Sequence, residues 1–379
     1  MCFNRLFIKS ILLLGLILGM VGCSKTPDPQ DDIPLFDAFI AENIDKVSDD
    51  PYISSTVRPG DKMYDVILHA QHGRWDDDED KRWLDLIEQG NTDAMVWYGR
   101  ILTASLQHRK QGYDLIHQAM LEGNPYAALE LSEGSESCRY YFGKNSAGNK
   151  LAEMVGMGTP NESGVCSEDN FALALKGFEK LANEGDLRAQ YFLLKQKSWE
   201  KSMETRAEYI REIIRFAEAH YYQPLMDYVG TILTQKTRSA PLESETPELE
   251  LLASNLLLIA SNNNYIPAIN KLIELKSENI DKNDPLFEKG IKLGSNKTIS
   301  WKVLLFAGQS YKNNLSPTER YFYGMLYKRI TGSRNVLNLK FKNGSLTEKE
   351  MENVAKRVAA ESIYSSVYID GFTDSGDWH

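Results

Sequence analysis

One spacing constrains this chain more than any other. A Gly, or a residue standing in its place, closes an amphipathic stretch, and a small or apolar residue follows four positions later inside the next stretch. Gly90 precedes Ala94, Gly123 precedes Ala127 and Gly185 precedes Ala189. Two further copies keep the register without Gly, Tyr221 before Leu225 and Asn264 before Ala268, each with a Pro (Pro224, Pro267) in the first turn of the second stretch. Gly takes the left-handed conformation that ends a helix, Ala lets the next helix cross closely, and Pro at a helix start forfeits no hydrogen bond. Each unit is therefore read as a helix hairpin.

From residue 80 to about 276 apolar residues recur at helical spacing and strand-like alternation is almost absent, so the fold class is all-α. Candidate core positions are Trp83, Leu84 and Ile87, then Trp97, Ile101 and Leu102, then Phe178, Leu181, Phe192 and Leu193. Gly99 and Gly230 each cost a helix about 1 kcal/mol relative to Ala, and close packing by the next helix is the expected compensation. The interval from Gly123 to Gly185 is long enough for one unit interrupted by an insertion at about 133–167. That insertion holds Cys138, Cys166 and the aromatic run Tyr140, Tyr141, Phe142, which serves equally well as a partner-binding loop or as a cap on the neighbouring unit. Beyond 280, Phe322, Tyr323 and Gly324 echo Trp97, Tyr98 and Gly99 as a decayed sixth unit. A last amphipathic helix, opened by the capping pair Thr347 and Glu350, is predicted to run through Val354, Val358, Ile363 and Val367 and seal the array.

The segments Glu88-Gln89-Gly90-Asn91 with Asp93, Ala94 and Gly99, then Glu122-Gly123-Asn124 with Ala127, then Glu184-Gly185-Asp186 with Ala189 and Gln190, resemble the Sel-one-like repeat, a relative of the tetratricopeptide repeat. The resemblance implies a right-handed α/α superhelix, a solenoid of hairpins spanning 57–280 and capped by 281–370, that binds other proteins.

The N-terminus supplies an address. Residues 1–10 carry Arg5 and Lys9 without an acid, and 11–22 form an apolar run too short for the ~20 residues of a membrane span. Met20-Val21-Gly22-Cys23 resembles the bacterial lipobox, with Met20 where Leu is preferred. The resemblance implies a signal at 1–22, a lipidated (palmitate-bearing) Cys23 and, because Ser24 rather than Asp follows it, the periplasmic face of the outer membrane. Residues 23–56, opened by Pro27 and Pro29, read as lipidated Cys and tether, and the acidic 371–379, with Trp378, as a tail. Cys138 and Cys166 are then the pair left to bridge in an oxidising compartment.

The formal net charge is −10, and losing Arg5 and Lys9 makes it −12. This disfavours nucleic acid and favours a basic protein partner. No G-x-S-x-G, H-E-x-x-H or phosphate-loop motif occurs, and no cofactor is expected. The best metal-like cluster is His69 and His72 followed by Asp76, Asp77, Asp78, Glu79 and Asp80. It reads more simply as a helix ended by Gly73 and a next helix begun by acids. The expectation is a non-enzymatic, lipid-anchored binder of one protein. It is similar to periplasmic immunity proteins that neutralise secreted effectors such as type VI phospholipases. The alternatives are an envelope scaffold for cell-wall enzymes and, less favoured, an enzyme of unknown type.

Overall fold

The computed structural model describes residues 27–74, 78–157, 165–234, 242–306, 314–333 and 346–370. Among these residues there are seventeen α-helices and no strand, only two isolated bridges. Helix α1 is Ile33–Asn43 and α2 Tyr64–Gln71. Six hairpins follow: α3 Glu79–Glu88 with α4 Thr92–Thr103, α5 Arg109–Leu121 with α6 Pro125–Glu130, and, after α7 Ala147–Met154 in the insertion, α8 Glu168–Asn183 with α9 Leu187–Gln196. Next come α10 Met203–Glu218 with α11 Gln223–Ile232, α12 Pro247–Asn262 with α13 Ile266–Leu275, and α14 Pro285–Lys292 with α15 Asn296–Phe306. A last pair is α16 Pro317–Thr331 and α17 Glu348–Ala360.

The six hairpin turns share one backbone solution. The left-handed residue has φ of 76° at Gly90, 90° at Gly123, 97° at Gly185, 60° at His220, 63° at Asn264 and 88° at Gly294. Its N–H reaches the carbonyl three residues back and the next N–H reaches five back, as in Asn91 to Leu86 and Tyr265 to Ala260, both 3.1 Å. This pairing satisfies carbonyls that a helix end otherwise leaves open. At the first three turns the following Asn91, Asn124 or Asp186 side chain then caps the next helix.

The small residues Ala94, Ala127, Ala189 and Ala268 are fully buried, as the close-crossing argument requires. A Cβ on Gly99 would lie 2.6 Å from Ile116 Cγ1 and 2.9 Å from the Gly112 carbonyl, so α4 and α5 meet backbone to backbone there. Three expectations need correction. In the fourth turn the left-handed residue is His220, not Tyr221, because one extra residue separates it from α11. The sixth hairpin turns at Gly294, with buried Thr298 four residues on, and Phe322, Tyr323 and Gly324 come one pair later, in the first helix of that pair, whereas Trp97, Tyr98 and Gly99 lie in the second helix of theirs. Leu84 is exposed rather than core, since Trp83 and Ile87 take the inward face of α3.

The chain ends are more folded than their composition suggests. The stretch 27–56, read as tether, carries a short 3-10 turn at Pro29–Asp32 and α1, whose Phe36 and Phe39 enter the largest core cluster beside α10, α11 and α12. Asp32 is buried, with its carboxylate 2.5–3.1 Å from Arg206 and 2.9 Å from the Tyr228 hydroxyl. At the other end α17 stops at Ala360, and 361–370 is an irregular strap with left-handed backbone at Ser365, so Ile363 and Val367 are not helical. The Tyr364 and Ser366 N–H groups reach the Lys292 and Leu293 carbonyls. Val367 and Ile369 are then fully buried with Val66, Trp83 and Trp97 of the first helices. Gln71 holds the strap through both ends of its amide, donating to Ser366 O and accepting from Tyr368 N.

Candidate functional site

The second helices of successive hairpins, with the strap, line a cavity of about 490 Å³. Its wall takes Tyr191 and Lys195 from α9, Gln223, Asp227 and Gly230 from α11, Asn270, Lys271 and Glu274 from α13, Lys297 from α15, and Tyr368 and Asp370 from the strap. A hydrogen-bond chain runs along it. Tyr265 donates to Gln223 (3.1 Å), Gln223 to Asp227 (2.8 Å) and Tyr191 to Asp227 (2.6 Å), while Tyr221 donates to Asp370 (3.0 Å). Burial, reinforced by Asp227 or Asp370, pushes the phenols of Tyr191, Tyr221 and Tyr265 above their ordinary range, which keeps them protonated as fixed donors.

Each carboxylate on the wall already has a donor, Glu274 receiving Lys271 at 3.4 Å. Lys195 lies over the Tyr191 ring, and among the described residues neither it nor Lys297 has a carboxylate in ion-pair reach. The cavity therefore offers aromatic edges, oxygens already held in hydrogen bonds, and two ammonium groups without a carboxylate partner among the described residues. Gly230 departs from expectation: no atom lies within 4 Å of where its Cβ would be, because it opens on this cavity and not on a neighbouring helix.

The insertion is closed by the Cys138–Cys166 disulfide, as its compartment reading anticipates. Glu133 N to Ser167 O and Ser167 N to Leu131 O tie its base. The three aromatic residues separate. Phe142 is 1% exposed and packs edge-on to Tyr113 in the core, so as a partner contact it is corrected to a cap on the neighbouring hairpin. Tyr141 is half-buried beneath the Arg109 guanidinium, and only Tyr140, 49% exposed, faces solvent. The insertion's larger exposed apolar surface lies on α7, at Leu151, Met154 and Val155.

His69 and His72 do not converge. His69 Nδ1 is 3.0 Å from Arg82 Nη2, and His72 Nε2 is 3.0 Å from the carbonyl of Gly294, linking the end of α2 to the sixth hairpin turn. Asp76 and Asp77 lie outside the described residues, as do the 1–22 signal, Cys23, Ser24 and the 371–379 tail. Among the described residues no group of three His, Cys, Asp or Glu side chains could hold a metal ion, and no helix is long and apolar enough to cross a membrane.

Burial lowers the His72 pKa to about 4, with the nearby His69 and Arg74 acting in the same sense and the Gly294 hydrogen bond opposing. The unfolded chain, titrating near 6.5, binds this proton more readily than the folded one. The resulting stability is full above pH 6.5 and is lost as pH falls toward 4, a span on the order of 2–3 kcal/mol. His72→Gln, which keeps a donor for Gly294, is expected to shrink the gap between urea midpoints at pH 7.5 and pH 5. An unchanged gap would place the acid sensitivity elsewhere.

The geometry defines an all-α chain of stacked helix hairpins with a polar, aromatic cavity on its second-helix side. Comparison with protein-family models, curated proteins and solved structures found no match.

Proposed function

We propose that this chain is a lipid-anchored, non-enzymatic repeat protein. In this reading its hairpins wind as a right-handed, Sel-one-like superhelix and bind one protein in the periplasm from the outer membrane, to which Cys23 tethers it. The particular role is immunity: neutralising a secreted antibacterial effector such as a type VI phospholipase. The observation that carries the reading is the cavity on the second-helix face, where Lys195 and Lys297 stand without a carboxylate in ion-pair reach among the described residues. The net charge of −12 left once Arg5 and Lys9 are removed would speed encounter with a basic effector, while the two lysines suit a carboxylate or carbonyl that the effector inserts.

Gly230 provides the test. A side chain there meets only open space, so Gly230→Leu should fill the cavity while leaving the helix intact or firmer by about 0.5–1 kcal/mol. Residues 24–379 are used to capture proteins from medium of sibling cells with active secretion. The expected result is one stoichiometric secreted hydrolase, lost from the Gly230→Leu variant. Cells lacking the chain should be killed by the same effector. Recovery of resident wall enzymes would transfer the reading to a scaffold, and capture unchanged by Gly230→Leu would remove the cavity from it.

A further inference from the structure

We propose that a second cavity, between the end of α2, one face of α15 and the end of α16, binds a sugar that carries a carboxylate. The cavity holds about 510 Å³, within the ordinary range for a small-molecule site, and shares only Lys297 with the first. Lys297, Ser300, Trp301 and Leu304 stand at i, i+3, i+4 and i+7, so α15 turns one face to it while Ile299, Val303 and Phe306 are buried on the other. Tyr327 and Thr331, one turn apart on α16, close the opposite side.

Charge, shape and hydrogen bonding each narrow the ligand. Among the described residues the lining holds no carboxylate, and its one cation, Lys297, has none in ion-pair reach. The bordering His72 adds no charge near neutral pH, because burial keeps it unprotonated. A negative group on the ligand therefore has one place to go. Half-buried Trp301 and exposed Leu304 offer a flat apolar surface, which the C–H face of a sugar ring or an aromatic ring would cover. The polar atoms decide between these two. The side chains of Ser300, Trp301 and Tyr327 make no hydrogen bond among the described residues. His72, 6% exposed, spends its Nε2–H on the Gly294 carbonyl, which leaves Nδ1 as an acceptor with no donor among the described residues. A flat aryl carboxylate would supply nothing to Nδ1 and little to the two hydroxyls. Sugar hydroxyls both donate and accept, so one ligand answers the imidazole, the indole N–H and the hydroxyls together. This site is independent of what the first cavity binds.

The test titrates residues 24–379, which contain every described element, with glucuronate, glucose and benzoate, followed by NMR. Glucuronate is expected to bind about tenfold more tightly than glucose, the difference that one charge-assisted hydrogen bond makes. It should also bind more tightly than benzoate, which has the charge and the flat body without the hydroxyls. Lys297→Gln, at an exposed position, should abolish the preference for glucuronate over glucose with an unchanged circular dichroism spectrum. Trp301→Ala should weaken both sugars about tenfold, and Trp301→Phe, which keeps a flat ring, should retain most of the binding. Gly230→Leu, which fills the first cavity only, should bind glucuronate as wild type does. Absence of glucuronate binding, a preference that survives Lys297→Gln, or benzoate bound as tightly would overturn the proposal. So would loss of glucuronate from the Gly230→Leu variant, an outcome that moves the sugar to the first cavity.

Discussion

Replacing Asp32 with Ala is expected to destabilise the fold by about 3 to 5 kcal/mol, the range for breaking a buried ion pair by removing one partner. The carboxylate is 1% exposed and accepts from Arg206 and Tyr228, which come from two different helices of the fourth hairpin. Burial works against the Arg206 charge, and the hydrogen bond and charge of Asp32 outweigh it and raise its pKa. Without Asp32 the guanidinium keeps the Glu200 carbonyl and the flanking Tyr209 and Tyr228 rings, but no counter-charge. Urea unfolding followed by circular dichroism measures the loss, with Asp37→Ala, at an exposed position of α1, as the control expected to change little. If 27–56 were a passive tether the two variants would behave alike.

How much of this was legible in the residues depends on how local the cause was. The hairpin turns are decided within six or seven positions, so Gly90, Gly123, Gly185 and Asn264 announce them and the structure places left-handed backbone at each. The sixth turn hides because Thr298 rather than Ala fills the close crossing, although Gly294 stands four residues before it. The strap is illegible for a different reason. Ile363 and Val367, five and nine residues beyond Val358, read as further apolar positions of α17, yet the bonds that hold the segment out of the helix join backbone atoms far apart in sequence, such as Thr56 N to Val367 O at 3.0 Å.

The same distinction governs the candidate sites. The Cys138–Cys166 pair follows from counting cysteines, whereas the split of Tyr140, Tyr141 and Phe142 between solvent, Arg109 and the core needs the insertion's packing. The cavity unites residues of four hairpins and the strap, each unremarked in its own segment. For the N-terminal stretch, Pro27, Pro29 and the acids outweighed a visible signal, since Ile33, Phe36, Phe39 and Ile40 already lie at helical spacing.

The Cys138→Ser/Cys166→Ser variant should lose roughly 3 to 4 kcal/mol, because the bridge closes a loop across a separation of 28 residues and so restricts the unfolded chain. The helix content should survive. Phe142 remains locked against Tyr113, Arg109 still donates to the Gly148 carbonyl at 2.8 Å, and Asn170 still bonds the carbonyls of Leu131 and Val165 on either side of the insertion. What loosens is the stretch between those anchors, including α7, so protease cleavage and amide exchange should rise first in 143–157 and only slightly in α8. A lowered urea midpoint with selective cleavage there is the expected pair of results. An unchanged midpoint would mean that the side-chain anchors hold the insertion unaided.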